Sequence, residues 1–575
     1  METISIQRPR KKRGGGLRWL VLIFGLAGMA VGAYWGWERF VPNNERVVPD
    51  YAFEHPIMHL GQPMEYGGAV EGEAVKLPVA AVQALLGSEA PVRYETESKA
   101  VILTTTDKVL HFKTEALTAT MNQEPFELSI AAEEQDGTVY IPMPPLTELF
   151  GLQAELHTDT GMITVSMPGD AVQRAAVTEE AAQLRSGPSI KSPIYETIAS
   201  GGTVRLWDEQ DGWYYAQSAS GRTGYMRVDD VGFADIETTA QAIAEEPFIP
   251  WKVYGQRINM TWEGVYSRNP DPQQIGELPG VNVVSPTWFE LTDAAGTIQS
   301  KADERYVAWA HGQDMQVWAL FSNGFEPDRT TAALASYETR LTMIKQLLAF
   351  AEVYRLQGIN IDFENVYTAD KANLIQFVRE MTPLLHEQGL VVSIDVTPKS
   401  NSEMWSAFID RRELGQVVDY MMVMTYDEHW AASPVAGSVA SLPWVEQSVR
   451  RILEEDEVPP AKLVLGVPLY TRIWTETTNE AGETEVSSGA YGMETIAALI
   501  EEKELEPVFD EQAGQNYVEY EEDGARKRIW LEDETSLRAR VQLVKQYDLA
   551  GLATWQRAFE KPGVWEVLDE VQSRP

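Results

Sequence analysis

From about residue 251 the chain alternates short runs of β-type residues with longer runs at helical spacing, and this pattern constrains the fold more than any other feature. The candidate strands are Ile258–Trp262, Val281–Phe289, Gln316–Phe321, Gly358–Phe363, Val391–Val396, Val418–Tyr426, Leu463–Leu469 and Gly551–Trp555. Helical runs such as Thr339–Gln357 and Lys371–Gln388 lie between them. Alternation of this kind signals a parallel sheet with crossover helices. Eight strand–helix units in about 325 residues suit a closed (β/α)8 TIM barrel over 251–575 with one insertion. The insertion is expected at about 474–530, between the seventh and eighth strands. Its Asn516–Tyr520 and Lys527–Leu531 flank Glu522-Asp523-Gly524, a hairpin turn.

Within the fourth candidate strand, Gly358-Ile359-Asn360-Ile361-Asp362-Phe363-Glu364-Asn365 places unusual chemistry. At period two, Asn360, Asp362 and Glu364 share one face, and Ile359, Ile361 and Phe363 share the other. A buried unpaired charge costs several kcal/mol. Crowded carboxylates relieve that cost by sharing a proton, which raises one pKa and supplies a proton donor near neutral pH. On spacing alone, a strand end whose acids point into water is an equal reading.

The surrounding residues add a resemblance. Gly358–Glu364 resembles the signature of glycoside hydrolase family 18, the chitinase-like enzymes, where it forms the fourth barrel strand and its Glu is the catalytic acid. Met424-Thr425-Tyr426-Asp427, Leu465-Gly466-Val467-Pro468-Leu469-Tyr470 and Gly551-Leu552-Ala553-Thr554-Trp555 resemble, in order, the family's sixth, seventh and eighth strands. The resemblance covers roughly residues 248–575 and implies that the insertion is a small α+β element; it also implies substrate-assisted, retaining hydrolysis, which departs from two-carboxylate schemes. It implies that Glu364 protonates the leaving oxygen, Asp362 holds the substrate's 2-acetamido N–H and Tyr426 holds its oxygen. Asn360, Met424, Asp427 and Trp555 are the expected substrate-binding residues, with Met424 mainly packing and Trp555 flooring the sugar. One departure stands out: the family's Asp four residues before the acid is Asn360 here. The likeness to wall- and spore-cortex-lytic bacterial members is closer than to chitinases proper.

The chain carries a net charge of −39, with a basic cluster confined to its start. So acidic a body argues against nucleic-acid binding. Cysteine is absent, which excludes disulfides, thiolate nucleophiles and Cys-based metal sites. No Gly-x-Ser-x-Gly, His-Glu-x-x-His or phosphate-loop motif occurs. No cofactor or metal is expected.

Residues 1–18 carry Arg8, Arg10, Lys11, Lys12, Arg13 and Arg18 against Glu2, and 19–37 contain no charged side chain. That uncharged run spans about 28 Å as a helix, close to a bilayer core. Its flanking charge predicts a cytoplasmic tail (1–18), a transmembrane anchor (19–37) and an extracytoplasmic remainder. A cleaved signal peptide, cut near Gly28-Met29-Ala30 or Val31-Gly32-Ala33, is the alternative and would give a secreted protein. Residues 38–68, broken by Pro42, Pro49, Pro56 and Pro63, are expected to be an irregular tether.

Residues 69–170 hold a repeat: Leu77-Pro78-Val79 then Leu85-Leu86-Gly87 recurs as Ile141-Pro142-Met143 then Leu149-Phe150-Gly151. Each copy predicts a short helix ending at Gly followed by a hairpin. The stretch resembles the small α+β module named after the N-terminal domain of copper amine oxidases. His111 and His157 lack ligand spacing, so copper is not implied. Residues 182–234 resemble a bacterial SH3-like β-barrel, with Arg185-Ser186-Gly187-Pro188 opening it. Trp207, Trp213, Tyr214 and Tyr225 form either a binding groove or its core. Residues 235–250 read as a linker.

The function implied is an extracytoplasmic glycoside hydrolase cleaving β-1,4 bonds after N-acetylglucosamine, with peptidoglycan the expected substrate. A non-catalytic, lectin-like wall-binding protein is the alternative. The expected partners are a polysaccharide containing N-acetylglucosamine and, through the N-terminal helix, a membrane.

Overall fold

The computed structural model describes residues 16–87, 91–240, 248–251, 255–478 and 482–572, without the side chains of 16–18 and 38. The expected basic tail therefore lies almost wholly outside the described residues, as does the centre of the expected linker. The chain divides into two compact units, one of Met1–Leu85 with Ala132–Ala242, the other of Leu86–Ala131 with Ile243–Pro575.

The first unit begins with a helix, Gly16–Phe40, whose Trp19–Trp37 segment is long and apolar enough to cross a membrane. Lys191 caps its C-terminal end, donating to the Trp37 and Val41 carbonyls at 2.8 and 2.9 Å, where a cation suits the helix dipole. The following stretch is less irregular than its prolines suggest. Asn43 and Val47 donate to the backbone of Ile190 and Ile194, and Pro56–His59 and Gln62–Gly67 are strands. Pro56–His59 pairs in parallel with Met162–Ser166, a partner more distant in sequence than any local pattern reaches.

The internal repeat is visible as structure. Each copy is a strand, a helix starting just after Pro (Val79–Leu86, Met143–Phe150) and a hairpin. The equivalent strands pair antiparallel, with Leu77 opposite Ile141, both fully buried. Gly151 closes the second helix at φ 68°, the left-handed conformation glycine adopts freely. After it, seven strands from Ala171 to Thr238 form one antiparallel sheet. The SH3-like region thus takes in Ala171–Val177 and Val231–Thr238, so residues 235–238, expected as linker, are strand. Trp213 is buried and Tyr214 packs on the apolar cluster of this sheet, while Trp207, Tyr215 and Tyr225 form a chain of ring contacts. His157 bonds to Ala219 and Thr164, and no metal-holding cluster occurs among the described residues.

The second unit is a (β/α)8 barrel. Its strands are β1 (Ile258–Glu263), β2 (Val283–Pro286), β3 (Gln316–Ser322), β4 (Gly358–Asp362), β5 (Val391–Val396), β6 (Tyr420–Met424), β7 (Leu463–Pro468) and β8 (Gly551–Trp555). All pair in parallel with their neighbours. The ring closes through β1 with β8 (Ile258↔Gly551) and β2 with β3 (Val283↔Gln316). Gly551 is needed at the closure, because a Cβ there would meet the Ile258 carbonyl oxygen at 1.9 Å. Outward-facing Ile359, Ile361, Val392, Val423 and Leu465 pack under the helices. Inward-facing Trp262, Trp318, Leu320, Tyr420 and Met422 fill the barrel, with Trp318 and Tyr420 stacked at 5.5 Å.

Two strands end earlier than their apolar runs suggest. β2 stops at Pro286, which has no N–H to extend the ladder. β6 stops at Met424, because the amides of Thr425 and Tyr426 turn back onto the carbonyls of Val423 and Met424. The insertion between β7 and β8 begins at Tyr470, earlier than expected. Its five-stranded sheet includes the hairpin Gln515–Glu522/Ala525–Trp530, turning at Asp523 and Gly524 with φ 53° and 75°.

A meander of five strands, Val92 to Glu127, also belongs to this unit. Ile102 and Val109 join the apolar layer outside the barrel. Beside them, fully buried Arg340 pairs with Glu95 at 2.8 Å and Glu380 at 2.7 Å. His111 stacks on Tyr337 at 4.0 Å.

Candidate active site

β4 builds the site by alternation. Ile359 and Ile361 are fully buried among the helices, and Phe363 stacks on Phe377 at 5.9 Å. These apolar anchors leave Asn360 and Asp362 facing inward. Glu364 follows at the C-terminal end, where barrel enzymes carry their sites. Its backbone is clamped from β3: Asn323, fully enclosed, donates to the Glu364 carbonyl at 2.7 Å and accepts the Glu364 amide at 3.1 Å. Asn365 turns the chain at φ 55° and donates to Phe325.

The carboxyl groups here are short of partners. Asp362 Oδ1 is enclosed and accepts no hydrogen bond, and burial pushes its carboxyl up to about 7. Glu364 is held well above the usual carboxylate range by burial first, then by Asp362 and Asp427. No lysine or arginine among the described residues offsets either one. Glu364 is therefore equipped to hold a proton at a pH where an ordinary glutamate has lost it.

Asn360 lies elsewhere than a substrate contact. It is wholly buried, its Oδ1 accepts from Trp262 Nε1 at 2.9 Å and Ser285 Oγ at 3.1 Å, and its Nδ2 donates to Asp395 Oδ1 at 2.9 Å. Fully enclosed, with its oxygen and its amide nitrogen both bonded inside the barrel, it presents no surface to a ligand. This corrects its expected substrate-binding place. Asp395, on β5, was not among the expected site residues.

The remaining expected residues come together at the mouth. Tyr426, swung out by the turn after β6, is partly buried, and its hydroxyl is raised by desolvation and then by the charges of Asp395, Asp362 and Glu364. Asp427, at φ 61°, is held by Tyr470 Oη at 2.8 Å and Arg472 at 3.3 Å, both from the start of the insertion. Trp555 ends β8 half-buried against Trp262, ring centroids 6.1 Å apart. Met424 ends β6, partly exposed. Around these, Tyr266, Phe325, Trp405 and Trp430 are exposed in loops that follow β1, β3, β5 and β6. Sequence reasoning passed over this aromatic rim, whose signal is bulky apolar rings placed just after barrel strands.

An eight-stranded barrel with an acid pair at the end of β4, Tyr426 close by after β6 and Trp555 at the end of β8, is the architecture of a glycoside hydrolase of the TIM-barrel class. The family model described as glycosyl hydrolases family 18 matches residues 270–560, half of the chain, and the chain belongs to that family. Models for a bacterial SH3 domain and a copper amine oxidase N-terminal domain match residues 180–231 and 62–165. Among curated proteins, the chain is 26% identical over 291 residues to an uncharacterized glycosylase, YvbX, of Bacillus subtilis, covering 48% of this chain and 80% of that one. It is 24% identical over 260 residues to the cortical fragment-lytic enzyme of the same organism, covering 44% of this chain and 59% of that one. It thus spans less than two thirds of that enzyme. Among solved structures, the spore cortex-lytic enzyme SleL of Bacillus megaterium matches with a TM-score of 0.50 at 20% identity, over 60% of this chain and 79% of that one, and shares its fold.

Proposed function

We propose that this protein is a retaining, substrate-assisted hydrolase that cleaves β-1,4 bonds after N-acetylglucosamine in peptidoglycan, and that its N-terminal helix anchors it outside the cytoplasm. The observation that carries the reading is the pairing of Asp362 and Glu364 on one strand face, both lifted in pKa by burial, with Tyr426 close enough to feel both charges. Glu364 gives its proton to the leaving glycosidic oxygen as that bond breaks. The substrate's own acetamido oxygen closes on the anomeric carbon from the opposite face. Asp362 accepts the acetamido N–H, which raises the oxygen's nucleophilicity, and the Tyr426 hydroxyl donates to that oxygen. Water then opens the ring intermediate, with Glu364, now a carboxylate, taking its proton; two inversions leave the configuration retained. Asp427 adds a polar contact to the acetamido group. The exposed rings of Phe325, Trp405 and Trp430 offer flat apolar faces on which a glycan chain stacks.

Support for a peptidoglycan substrate comes from the likeness to a cortical fragment-lytic enzyme and from the SH3-like module, and support for anchoring from the length of the apolar helix. The test is detergent-solubilised full chain on purified peptidoglycan and on chitooligosaccharides, with products separated by mass and anomers read by NMR. New reducing-end N-acetylglucosamine of retained configuration, and a Glu364→Gln variant slower by about 100-fold or more, are expected. Absence of new reducing ends, or a Glu364→Gln variant as active as the parent, overturns the reading.

A further inference from the structure

The mechanism above uses Asp362 and Glu364 and leaves a third enclosed acid without a task. Asp395 is 4% exposed. The β4–β5 register pairs Asn360 with Ser393 and Ile361 with Ile394, which brings Asp362 level with Asp395 on the next step. Side chains level on adjacent parallel strands point the same way from backbones about 4.8 Å apart. Asp362 and Asp395 therefore stand side by side on the inner wall of the barrel.

The carboxamide between them is fixed in orientation. Trp262 Nε1 can only donate, so the atom of Asn360 that meets it is the oxygen, and the NH2 must face Asp395. Asp395 Oδ1 is thereby an obligatory acceptor, and any proton on this acid sits on Oδ2. An asparagine at 395 would accept the same bond without the penalty of an enclosed acid. Packing thus gives no reason for an acid at this position.

We propose that Asp395 is a positioning residue of the hydrolytic site: held by Asn360, it shares one proton with Asp362 across β4 and β5, and takes that proton fully when Asp362 accepts the substrate's amide N–H. The proton moves within the pair, and none is gained or lost. The ionised Asp362 then polarises the acetamido group, while the neutral Asp395 spares the site a second adjacent charge. The titratable groups facing Asp395 are Asp362 from β4, Glu364 just beyond it and Tyr426 from the turn after β6; β1 and β2 present only Trp262 and Ser285. Burial and then Asp362 raise the Asp395 carboxyl well above its ordinary range, opposed by the Asn360 bond.

This inference rests on the hydrolase reading, and the experiment separates the two. Asp395→Asn, Asn360→Asp, the double exchange N360D/D395N and Glu364→Gln are compared in the full chain, on peptidoglycan, from pH 4 to 9. Thermal unfolding of each serves as a check on folding. D395N is expected to lower kcat about tenfold at neutral pH with little change in KM, and to move the limbs of its kcat/KM profile to lower pH. The double exchange keeps an acid and an amide in hydrogen-bond contact, with the acid now on β4, and is expected to recover most of the lost rate. A D395N profile superimposed on the parent's, with E364Q inactive, overturns this inference and leaves the hydrolase reading standing. A folded double exchange no better than D395N also overturns it, since a merely structural Asp395 would show no rescue. If E364Q is fully active, the hydrolase reading fails first.

Discussion

Replacing Asn323 by Ala tests whether the acid is placed by a clamp on its backbone. The Asn323 side chain makes four hydrogen bonds: to the Glu364 carbonyl at 2.7 Å, from the Glu364 amide at 3.1 Å, to Thr330 Oγ1 at 2.9 Å and from the Phe325 amide at 3.2 Å. At about 1 kcal/mol net for each bond the four contribute about 4 kcal/mol, and a polar group left enclosed and unpaired adds about 1–3 kcal/mol, so the loss in stability is roughly 5–7 kcal/mol. That is a large share of the stability of an ordinary domain, so the melting temperature falls clearly. The catalytic cost is separate. A shift of about 1 Å in an acid that must meet the leaving oxygen costs on the order of 100-fold. Asn323 forms no hydrogen bond with Tyr426, Asp427 or Trp555, so KM should stay within about threefold while kcat falls about 10- to 100-fold. Asn323→Asp keeps both acceptor bonds and loses both donor bonds, and should lie between the two in stability. The assay is release of reducing ends at saturating and limiting substrate, with unfolding followed by calorimetry. A folded Asn323→Ala variant with kcat within about twofold of the parent refutes the clamp.

Three further outcomes follow from the same geometry. Because Asp427 is one of the charges raising Glu364, Asp427→Asn should move the alkaline limb of kcat/KM to lower pH, read from the limb's position and not from the size of the rate. Asp362 titrates near 7 when folded against 3.8 in its ordinary state; a raised carboxyl stabilises the fold below its unfolded value and that contribution is lost as pH rises through the folded one. The melting temperature should therefore drop between about pH 4 and 7, and Asp362→Asn should flatten the drop. Arg340→Met leaves Glu380 buried without its partner and should cost about 3–5 kcal/mol, while Arg340→Met with Glu95→Gln and Glu380→Gln should recover part of that in thermal melts.

How much of this was legible in the chain depends on how local each signal is. The barrel strands are buried on both faces, so they read as near-continuous apolar runs bounded by turn residues, and all eight were visible. Their ends were not, because Pro286 and the turn at Thr425–Tyr426 stop pairing inside apolar runs. Strands Pro56–His59 and Ala171–Val177 were hidden for another reason: the former pairs with a segment about a hundred residues away, and the latter with Thr203–Gln210 and Val231–Thr238. Asp362, Glu364, Tyr426, Asp427 and Trp555 were found through motifs. Asn323 and Asp395 carry no motif, since what they do is set by register between strands. Yet β5 gave the same hint as β4. Asn360 and Asp362 are polar at period two within an apolar strand, and so are Ser393 and Asp395 in Val391–Val396. A strand buried on both faces has no solvent in which to place such residues. An acid in such a strand therefore needs a partner on the neighbouring strand, and the partner of Asp395 is Asn360, one pleat before Asp362.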